Sequence, residues 1–331
     1  MNMPNGDAHL SAKLFADDIE QKATRDGFGK GVVEAGKSDP RIVVLCADLK
    51  ESTRAEWFQK EFPERFIEMG VAEQNMATVA AGMASAGKIP FIASYACFSP
   101  GRNYEQIRTT IALNDVSVKI CGMHAGVSVG PDGATHQMLE DIGMMRMLPG
   151  MTVLAPGDAE EARKAVIAAA KHDGPVYIRF GRAATPVFTT SLTPFQIGKA
   201  LTLWEEDAAK VALLSTGSLS YAALTAARAL VEEGVGALVL HVPTIKPLDT
   251  EAILDAAKRA GRIVTLEEHQ AAGGFGSAVA ELLSQRHPVP IRRLGVQDMF
   301  GQSGSPQQLL EYYGLDTNAV VKVAKQLVKD L

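Results

Sequence analysis

Short, uncharged runs rich in β-branched residues alternate along this chain with longer segments that have helical spacing. In the first half these runs cover residues 41–46, 88–95, 116–121, 151–154 and 175–179. A strand that is apolar on both faces needs a covering layer on each side, and successive parallel strands need a helical crossover between them. The alternation therefore predicts an α/β protein with a mainly parallel sheet.

The pattern lapses into a polar stretch at residues 189–194, and a second set of strand-like and helical segments follows it. A chain of 331 residues, 47% of them hydrophobic, can form two domains with separate cores. We expect a first domain at residues 11–190 and a smaller α/β domain at residues 195–331. Residues 1–10 are expected to form a disordered tail, and residues 11–35 are expected to be broadly helical with a break near Thr24.

The composition disfavours several classes of protein. A net charge of -5 argues against a partner that is nucleic acid or an anionic membrane. The chain has no apolar run long enough to span a bilayer and no signal-peptide pattern, so we expect a cytoplasmic protein. Cys46, Cys97 and Cys121 lie in apolar contexts without a CxxC or Cys/His cluster, which predicts buried thiols and no zinc site or disulfide.

Glu73 is the residue whose position most needs an explanation. It follows the strand-like residues 65–67 and precedes residues 76–84, a run so poor in charge that its helix should be buried on most sides. The helix dipole favours the charged carboxylate, whereas burial disfavours it. On this segment alone, a helix-capping role and a catalytic role both remain open.

Other polar and aromatic residues follow the predicted strands at their carboxyl ends, where parallel sheets bind ligands. They are Asp48 and Ser52 after the first run, Tyr95 and Phe98 after the second, His124 after the third, and Asp132 and His136 in the glycine-rich loop at residues 125–137. Imidazoles can hydrogen-bond substrate oxygens and transfer protons near neutral pH. A metal site is the weaker alternative, because the spacing matches no common ligand motif. Tyr95 and Phe98 could stack on a ligand or pack in the core.

Several arginines are candidates for anion sites, since guanidinium groups suit phosphate. They are Arg25, Arg102, Arg179 and Arg182. Surface charge is the other explanation for each of them, and Arg102 could equally tie down its own loop.

Taken together, these segments resemble the C-terminal half of a transketolase, the thiamine-diphosphate enzyme that moves two-carbon ketol units between sugars. The resemblance covers almost the whole chain, from Thr24 to residues 267–269. Its specific pieces are Ala-Asp-Leu at 47–49, Gly-Val-Ala-Glu-Gln at 70–74, the stretch 95–108 and Asp-Gly-Ala-Thr-His-Gln at 132–137. It implies a pyrimidine-type domain of the thiamine-diphosphate enzymes, followed by a smaller α/β C-terminal domain.

The resemblance also implies roles for individual residues. Glu73 would hydrogen-bond the pyrimidine nitrogen of thiamine diphosphate, and Tyr95, Phe98 and Asp48 would belong to the cofactor pocket. The remaining assignments concern the substrate: His124, Asp132 and His136 for its hydroxyl and carbonyl groups, and Arg25, Ser52 and either Arg179 or Arg182 for the sugar phosphate. The implied catalytic residues are Glu73, His124 and His136.

One departure from the family pattern has consequences for assembly. Full-length transketolases carry a preceding domain with a Gly-Asp-Gly motif that binds Mg²⁺ and the diphosphate, and this sequence lacks that motif. We therefore expect a separate N-terminal transketolase subunit to supply the Mg²⁺ ligands, in a heterotetramer with two sites at chain interfaces, and we expect this chain to be inactive alone. Residues 99–101 also differ from the aromatic-rich version of most transketolases.

Three alternatives remain beside a split transketolase. The 132–137 segment also resembles deoxyxylulose-phosphate synthase, but His124 favours transketolase, because the corresponding position looks like arginine in the synthase. A 2-oxoacid dehydrogenase beta subunit has similar size and partner dependence, although His136 and Asp132 suit a polyhydroxy substrate better. A noncatalytic scaffold subunit would not need Glu73 or the two histidines. The sequence does not identify the sugars.

Overall fold

Two sheets of mainly parallel strands organise the computed structural model, which describes residues 4–330. The strands are β1 (Gln21–Ala23), β2 (Ile42–Cys46), β3 (Phe66–Glu68), β4 (Ile89–Tyr95), β5 (Lys119–Met123), β6 (Thr152–Leu154), β7 (Val176–Arg179), β8 (Ala184–Pro186), β9 (Leu201–Trp204), β10 (Val211–Ser215), β11 (Ala237–His241), β12 (Thr244–Lys246), β13 (Ile263–Gln270) and β14 (Ile291–Val296). The prediction of an α/β protein with a mainly parallel first sheet is confirmed.

Helices connect most of these strands. The α-helices are α1 (Thr24–Ser38), α2 (Lys50–Thr53), α3 (Ala55–Glu61), α4 (Glu73–Ser85), α5 (Tyr104–Gln106), α6 (Asp141–Arg146), α7 (Ala159–Lys171), α8 (Leu219–Glu232), α9 (Thr250–Ala260), α10 (Phe275–Arg286), α11 (Pro306–Tyr312) and α12 (Thr317–Lys329). A π-helical turn at Ile107–Ala112 continues α5, and short 3₁₀ turns lie at Gly6–Ala8, Pro63–Arg65 and Val127–Val129.

The first sheet has seven strands in the order β12-β6-β7-β5-β4-β2-β3, and its neighbours are parallel except for the β12–β6 pair. β2, β5 and β7 are buried along their whole length, as strands with two apolar faces require. One face is covered by α1 and α7 through residues such as Phe28 and Val166. The other face is covered by α4 and the π-helical turn through Met76 and Ile107.

Glycines in α1 allow this helix to approach α7 closely. A Cβ on Gly27 would lie 2.1 Å from the Ala159 carbonyl oxygen, and one on Gly31 would lie 2.8 Å from the Arg163 carbonyl oxygen. Larger residues would force the helices apart, so these glycines serve helix packing although they weaken intrinsic helix propensity.

The second sheet has the order β14-β13-β10-β11-β9, and only β9 runs antiparallel to its neighbour. Leu214, Leu240 and Phe275 from this part of the chain belong to the same hydrophobic cluster as Met76 and Ile120 of the first. In addition, β12 lies beyond β11 in the chain but pairs with β6, so the second half supplies an edge strand to the first sheet. A three-residue strand is too short to show a sequence pattern, and its partner is fixed only by tertiary packing.

The segment at residues 11–35 is only partly helical, which corrects the sequence prediction. Residues 11–19 form a series of turns, and β1 follows, paired antiparallel with β8. The helix begins at Thr24, near the predicted break. Leu14 and Ile19 are buried in the turn segment, so tertiary packing outweighs their local helical spacing.

Residues 4–10 also differ from the expected disordered tail, whereas residues 1–3 lie outside the described residues. The Asn5 N–H donates a hydrogen bond to the Leu203 carbonyl oxygen at 2.9 Å, and Pro4 bridges to Trp204. Ala8 is fully buried. Contacts with β9 hold this segment in place. A segment of seven residues carries too little pattern for the sequence to predict such contacts.

Candidate active site

The carboxyl ends of β2, β3, β4 and β5 bring most of the candidate residues to one edge of the first sheet. These four strands are consecutive neighbours in the sheet and run parallel. Asp48 follows β2, Glu73 follows β3, Tyr95 ends β4, and His124 follows β5. Parallel sheets bind ligands at this edge, because the loops that follow the strands converge there.

Glu73 is the first residue of α4, and its side chain is 1% exposed. One carboxylate oxygen, Oε2, accepts a hydrogen bond from Nη1 of Arg102 at 2.5 Å. The Glu73 carbonyl oxygen accepts another from Nδ2 of the buried Asn103 at 3.0 Å. Within residues 4–330 the carboxylate accepts no bond from a helix N–H, so the helix-capping role left open by the sequence is not observed.

Four rings form a compact group beside this carboxylate. Tyr95 stacks on His124 with centroids 4.1 Å apart and on Phe98 with centroids 5.9 Å apart. His136 meets the Phe98 ring edge-on at 5.7 Å. The guanidinium carbon of Arg102 lies 4.5 Å from the Phe98 centroid. Phe98 and His136 are half-buried, so the group lines a surface and is not sealed in the core.

His124 is 1% exposed and is held by Arg25. Nη1 of Arg25 lies 2.9 Å from Nε2 of His124, and the same nitrogen donates to the Ser52 carbonyl oxygen at 2.9 Å. A guanidinium can only donate, so Nε2 accepts and the ring proton belongs on Nδ1. Burial, together with the positive charges of Arg25 and Arg182, lowers the pKa of His124 to about 3. His124 is therefore a neutral imidazole near pH 7.

The glycine-rich loop places Asp132 and His136 at the mouth of the group. Asp132 Oδ1 lies 3.8 Å from Nη1 of Arg182, and about a third of each side chain is exposed. His136 Nδ1 lies 2.9 Å from the Thr135 hydroxyl oxygen. Arg182 Nη1 also donates to the Val129 carbonyl oxygen at 2.7 Å, which fixes its guanidinium against the loop.

Gln137 anchors this loop to the second half of the chain, a role that the sequence did not indicate. Its Nε2 donates to the carbonyl oxygens of Val127 and Gln302, each at 3.0 Å. The bond to Gln302 spans 165 residues of sequence. Only the packed fold brings these groups together.

Arg179 lies in the interior and not at the site. Its Nε donates to Asp141 Oδ2 at 2.8 Å and its Nη2 to the Glu268 carbonyl oxygen at 2.6 Å, with the side chain 9% exposed. Tyr177 donates to the same Asp141 oxygen at 2.7 Å. The two arginines that the sequence left open therefore differ in position: Arg182 faces the loop, whereas Arg179 joins the two halves of the chain.

The structure places Asp48 on the surface at the same sheet edge but does not bring it into contact with the rings. It is exposed, has a φ of 58°, and its N–H donates to Glu68 Oε1 at 2.8 Å. The Ser52 side chain is half-buried, and its carbonyl oxygen, not its hydroxyl, is the group that Arg25 contacts. Cys97, beside Phe98, is half-buried rather than buried, and burial raises the pKa of its thiol to about 12.

Two features are absent from residues 4–330. No three His, Cys, Asp or Glu side chains in this range come close enough together to hold a metal ion. No helix in the same range is long and apolar enough to cross a membrane.

Comparisons with known proteins identify the class to which the fold belongs. Residues 20–187 match the family model of the transketolase pyrimidine binding domain, and residues 198–320 match the transketolase C-terminal domain. These two domains, in this order, define a protein of the transketolase type.

Several relatives match this chain over nearly their whole length. The chain is 42% identical over 304 residues to a putative transketolase C-terminal section of Methanocaldococcus jannaschii, which covers 91% of this chain and 95% of that protein. It is 40% identical over 315 residues to a 6-deoxy-6-sulfo-D-fructose transketolase subunit of Clostridium sp. strain MSTE9, which covers 95% of this chain and 97% of that subunit. A solved split-gene transketolase, described as an inactive beta4 tetramer, superposes with a TM-score of 0.86 at 44% identity over 93% of this chain and 98% of that one. This chain belongs to the transketolase family, as its resemblance implies.

Proposed function

We propose that this chain is the C-terminal subunit of a two-chain, thiamine-diphosphate-dependent transketolase that transfers ketol units between sugar phosphates. The observation that carries the proposal is the buried Glu73 carboxylate beside the half-buried face of Phe98. A planar aminopyrimidine needs both features, a carboxylate for its ring nitrogen and an aromatic face for stacking. Thiamine diphosphate, when bound, supplies the carbanion chemistry of ketol transfer.

The residues of this chain fit the pyrimidine end of that cofactor. Glu73 would hold the ring nitrogen, and its fixed position at the start of α4 keeps the carboxylate aimed at one place. Phe98 and Tyr95 would flank the ring, and Asp48 would stand at the rim of the pocket. Ligands for the diphosphate and Mg²⁺ are assigned to a partner N-terminal subunit.

The polar residues suit a phosphorylated, polyhydroxylated substrate. His124, neutral and protonated on Nδ1, can donate a hydrogen bond to a carbonyl or hydroxyl oxygen without carrying charge. His136 and Asp132 can bind further hydroxyl groups at the mouth. Arg25 and Arg182 both impose positive potential on His124, and the same potential favours a phosphate group nearby. We assign the phosphate to Arg182, Arg25 and Ser52.

A separate partner chain follows from the same reasoning. Glu73 and Phe98 present only one side of a cofactor site, so a second surface must complete it. We propose a heterotetramer of two copies of this chain and two N-terminal subunits, with two sites at the interfaces between unlike chains.

The test is reconstitution with the candidate N-terminal subunit, thiamine diphosphate and Mg²⁺, assayed for ketol transfer from xylulose 5-phosphate to ribose 5-phosphate. A 6-deoxy-6-sulfo ketose should be included as a second donor, because a relative of full length is named for one. Turnover that needs both chains supports the proposal. Reaction of pyruvate with glyceraldehyde 3-phosphate instead would identify a deoxyxylulose-phosphate synthase, and absence of all turnover in a stable complex would favour a noncatalytic subunit.

A further inference from the structure

Arg102 takes part in both of the interactions that the proposed cofactor site offers to a flat ring. Its Nη1 donates to Glu73 Oε2 at 2.5 Å, and its guanidinium lies 4.5 Å over the Phe98 ring. A guanidinium and a protonated aminopyrimidine are both planar cations with N–H donors that suit a carboxylate. Arg102 thus makes, within this chain, the contacts assigned above to the cofactor.

We propose that Arg102 is a placeholder for the aminopyrimidine of thiamine diphosphate. It pairs with Glu73 and covers Phe98 while the site is empty, and its side chain withdraws when the cofactor enters. The inference rests on the proposed function, and it makes the Arg102 side chain a competitor of the cofactor for Glu73 and Phe98.

A buried carboxylate requires such a partner. The Glu73 side chain is 1% exposed, and an unpaired charge at this depth would strongly destabilise the fold. Asn103 donates to the Glu73 carbonyl oxygen and to the Ser99 hydroxyl oxygen, and not to the carboxylate. Over the described range 4–330, Arg102 is the one residue that donates a hydrogen bond to the carboxylate. The Arg102–Glu73 pair therefore supplies the partner that the buried carboxylate requires.

The Arg102 side chain can leave without disturbing its backbone. Its side chain is 44% exposed, so water can solvate the guanidinium after a rotamer change. Its backbone is fixed, because its N–H donates to the Phe98 carbonyl oxygen at 3.0 Å. The preceding Gly101 packs so tightly that a Cβ there would lie 2.1 Å from the Cys97 carbonyl oxygen. Withdrawal is a movement of one side chain on a rigid turn.

If Arg102 is a placeholder, its removal should lower the stability of the chain and raise its affinity for the cofactor. Removing the guanidinium should destabilise the cofactor-free chain, because Glu73 loses its partner. It should also strengthen cofactor binding, because no internal pair has to be broken first. A permanent cofactor ligand would instead lose affinity when removed, and a surface arginine would change neither quantity.

The experiment compares Arg102→Met with Arg108→Met, a control on the following π-helical turn whose side chain is exposed and makes no hydrogen bond within residues 4–330. Calorimetric titration of the reconstituted two-chain complex gives the Kd for thiamine diphosphate at fixed Mg²⁺, and thermal unfolding of this chain alone gives Tm. For Arg102→Met we expect Kd to fall about tenfold, the order of one charge-assisted hydrogen bond. We expect Tm to fall by about 2–5 °C. Arg108→Met should change neither value.

Each other outcome has a distinct meaning. Binding by the wild-type complex with unchanged or weaker binding by Arg102→Met overturns the placeholder and leaves the proposed function in place. An unchanged Tm for Arg102→Met also overturns it, since the pair would then contribute nothing to the empty site. Failure of the wild-type complex to bind thiamine diphosphate overturns the proposed function and this inference together.

Discussion

Arg25 donates through Nη1 to Nε2 of His124 across 2.9 Å, which places a permanent cation against a buried imidazole. The contact fixes the tautomer of His124 and, together with burial, keeps the ring neutral. This residue pair therefore determines which ring nitrogen carries the proton, and burial with the arginine charge sets the pH at which the ring would become charged.

This pair predicts how stability depends on pH. The folded-state pKa of His124 is about 3, below the unfolded value near 6.5, so the unfolded chain binds the proton more readily. Stability from this group is full above about pH 6.5 and is lost as the pH falls toward 3. The loss should reach about 2 kcal/mol at pH 5. Urea unfolding of wild type and His124→Gln at pH 7.5 and pH 5 measures this loss. The other titrating groups are the same in both proteins, so their contributions cancel when the two losses are subtracted. Equal losses in the two proteins would contradict a depressed pKa for His124.

Glu73→Gln should abolish most of the activity while the fold persists. The amide keeps the shape of the side chain and removes the charge that the proposed cofactor contact needs, so we expect kcat to fall by about 100-fold or more. The measurement is turnover and C2 proton exchange of thiamine diphosphate in the two-chain complex, with circular dichroism to confirm folding. Wild-type rates in the variant would show that Glu73 is not a catalytic residue.

We expect substitution of Arg182 to affect substrate binding and substitution of Arg179 to affect stability. Arg182→Ala removes a half-exposed guanidinium at the loop, and we expect KM for a sugar phosphate to rise about tenfold with the free energy of unfolding little changed. Arg179→Ala leaves Asp141 buried without its cation, and we expect a loss of about 3–5 kcal/mol in the free energy of unfolding. Steady-state kinetics and urea titration of both variants provide the comparison, and the reverse pattern would exchange the two roles.

A buried contact between the two halves of the chain should matter for stability and not for chemistry. His241 is fully buried, with Nε2 2.7 Å from Glu161 Oε2 and Nδ1 2.6 Å from the Ser220 hydroxyl oxygen. His241→Ala leaves both partners buried without it, so we expect a loss of about 3 kcal/mol in the free energy of unfolding. Urea unfolding measures this loss. Ser220→Ala, which removes one hydroxyl, is the milder control and should cost about 1 kcal/mol. A negligible effect of His241→Ala would show that water replaces the contact.

The sequence was informative where one segment carries its own pattern. The apolar runs that became β2, β4, β5 and β7 predict a parallel sheet, and the order of these strands places Glu73 and His124 at one edge. The family motifs around residues 70–74 and 132–137 then predict the class of protein. Each of these features lies within a few consecutive residues, so local chemistry is enough to identify it.

Tertiary structure decided what depends on contacts between distant segments. Residues 11–19 form turns and residues 21–23 pair with β8 in place of the predicted helix, and β12 joined a sheet built mainly from the first half of the chain. Arg179 and Arg182 are three positions apart and equally plausible in sequence, yet one pairs with Asp141 in the interior and the other faces the loop at Asp132. The pairing of Arg102 with Glu73 across 29 residues is of the same kind. The type of a residue and its sequence neighbours determine which interactions it can make. Burial and charge pairing act through space, so only the folded chain determines which partner the residue has.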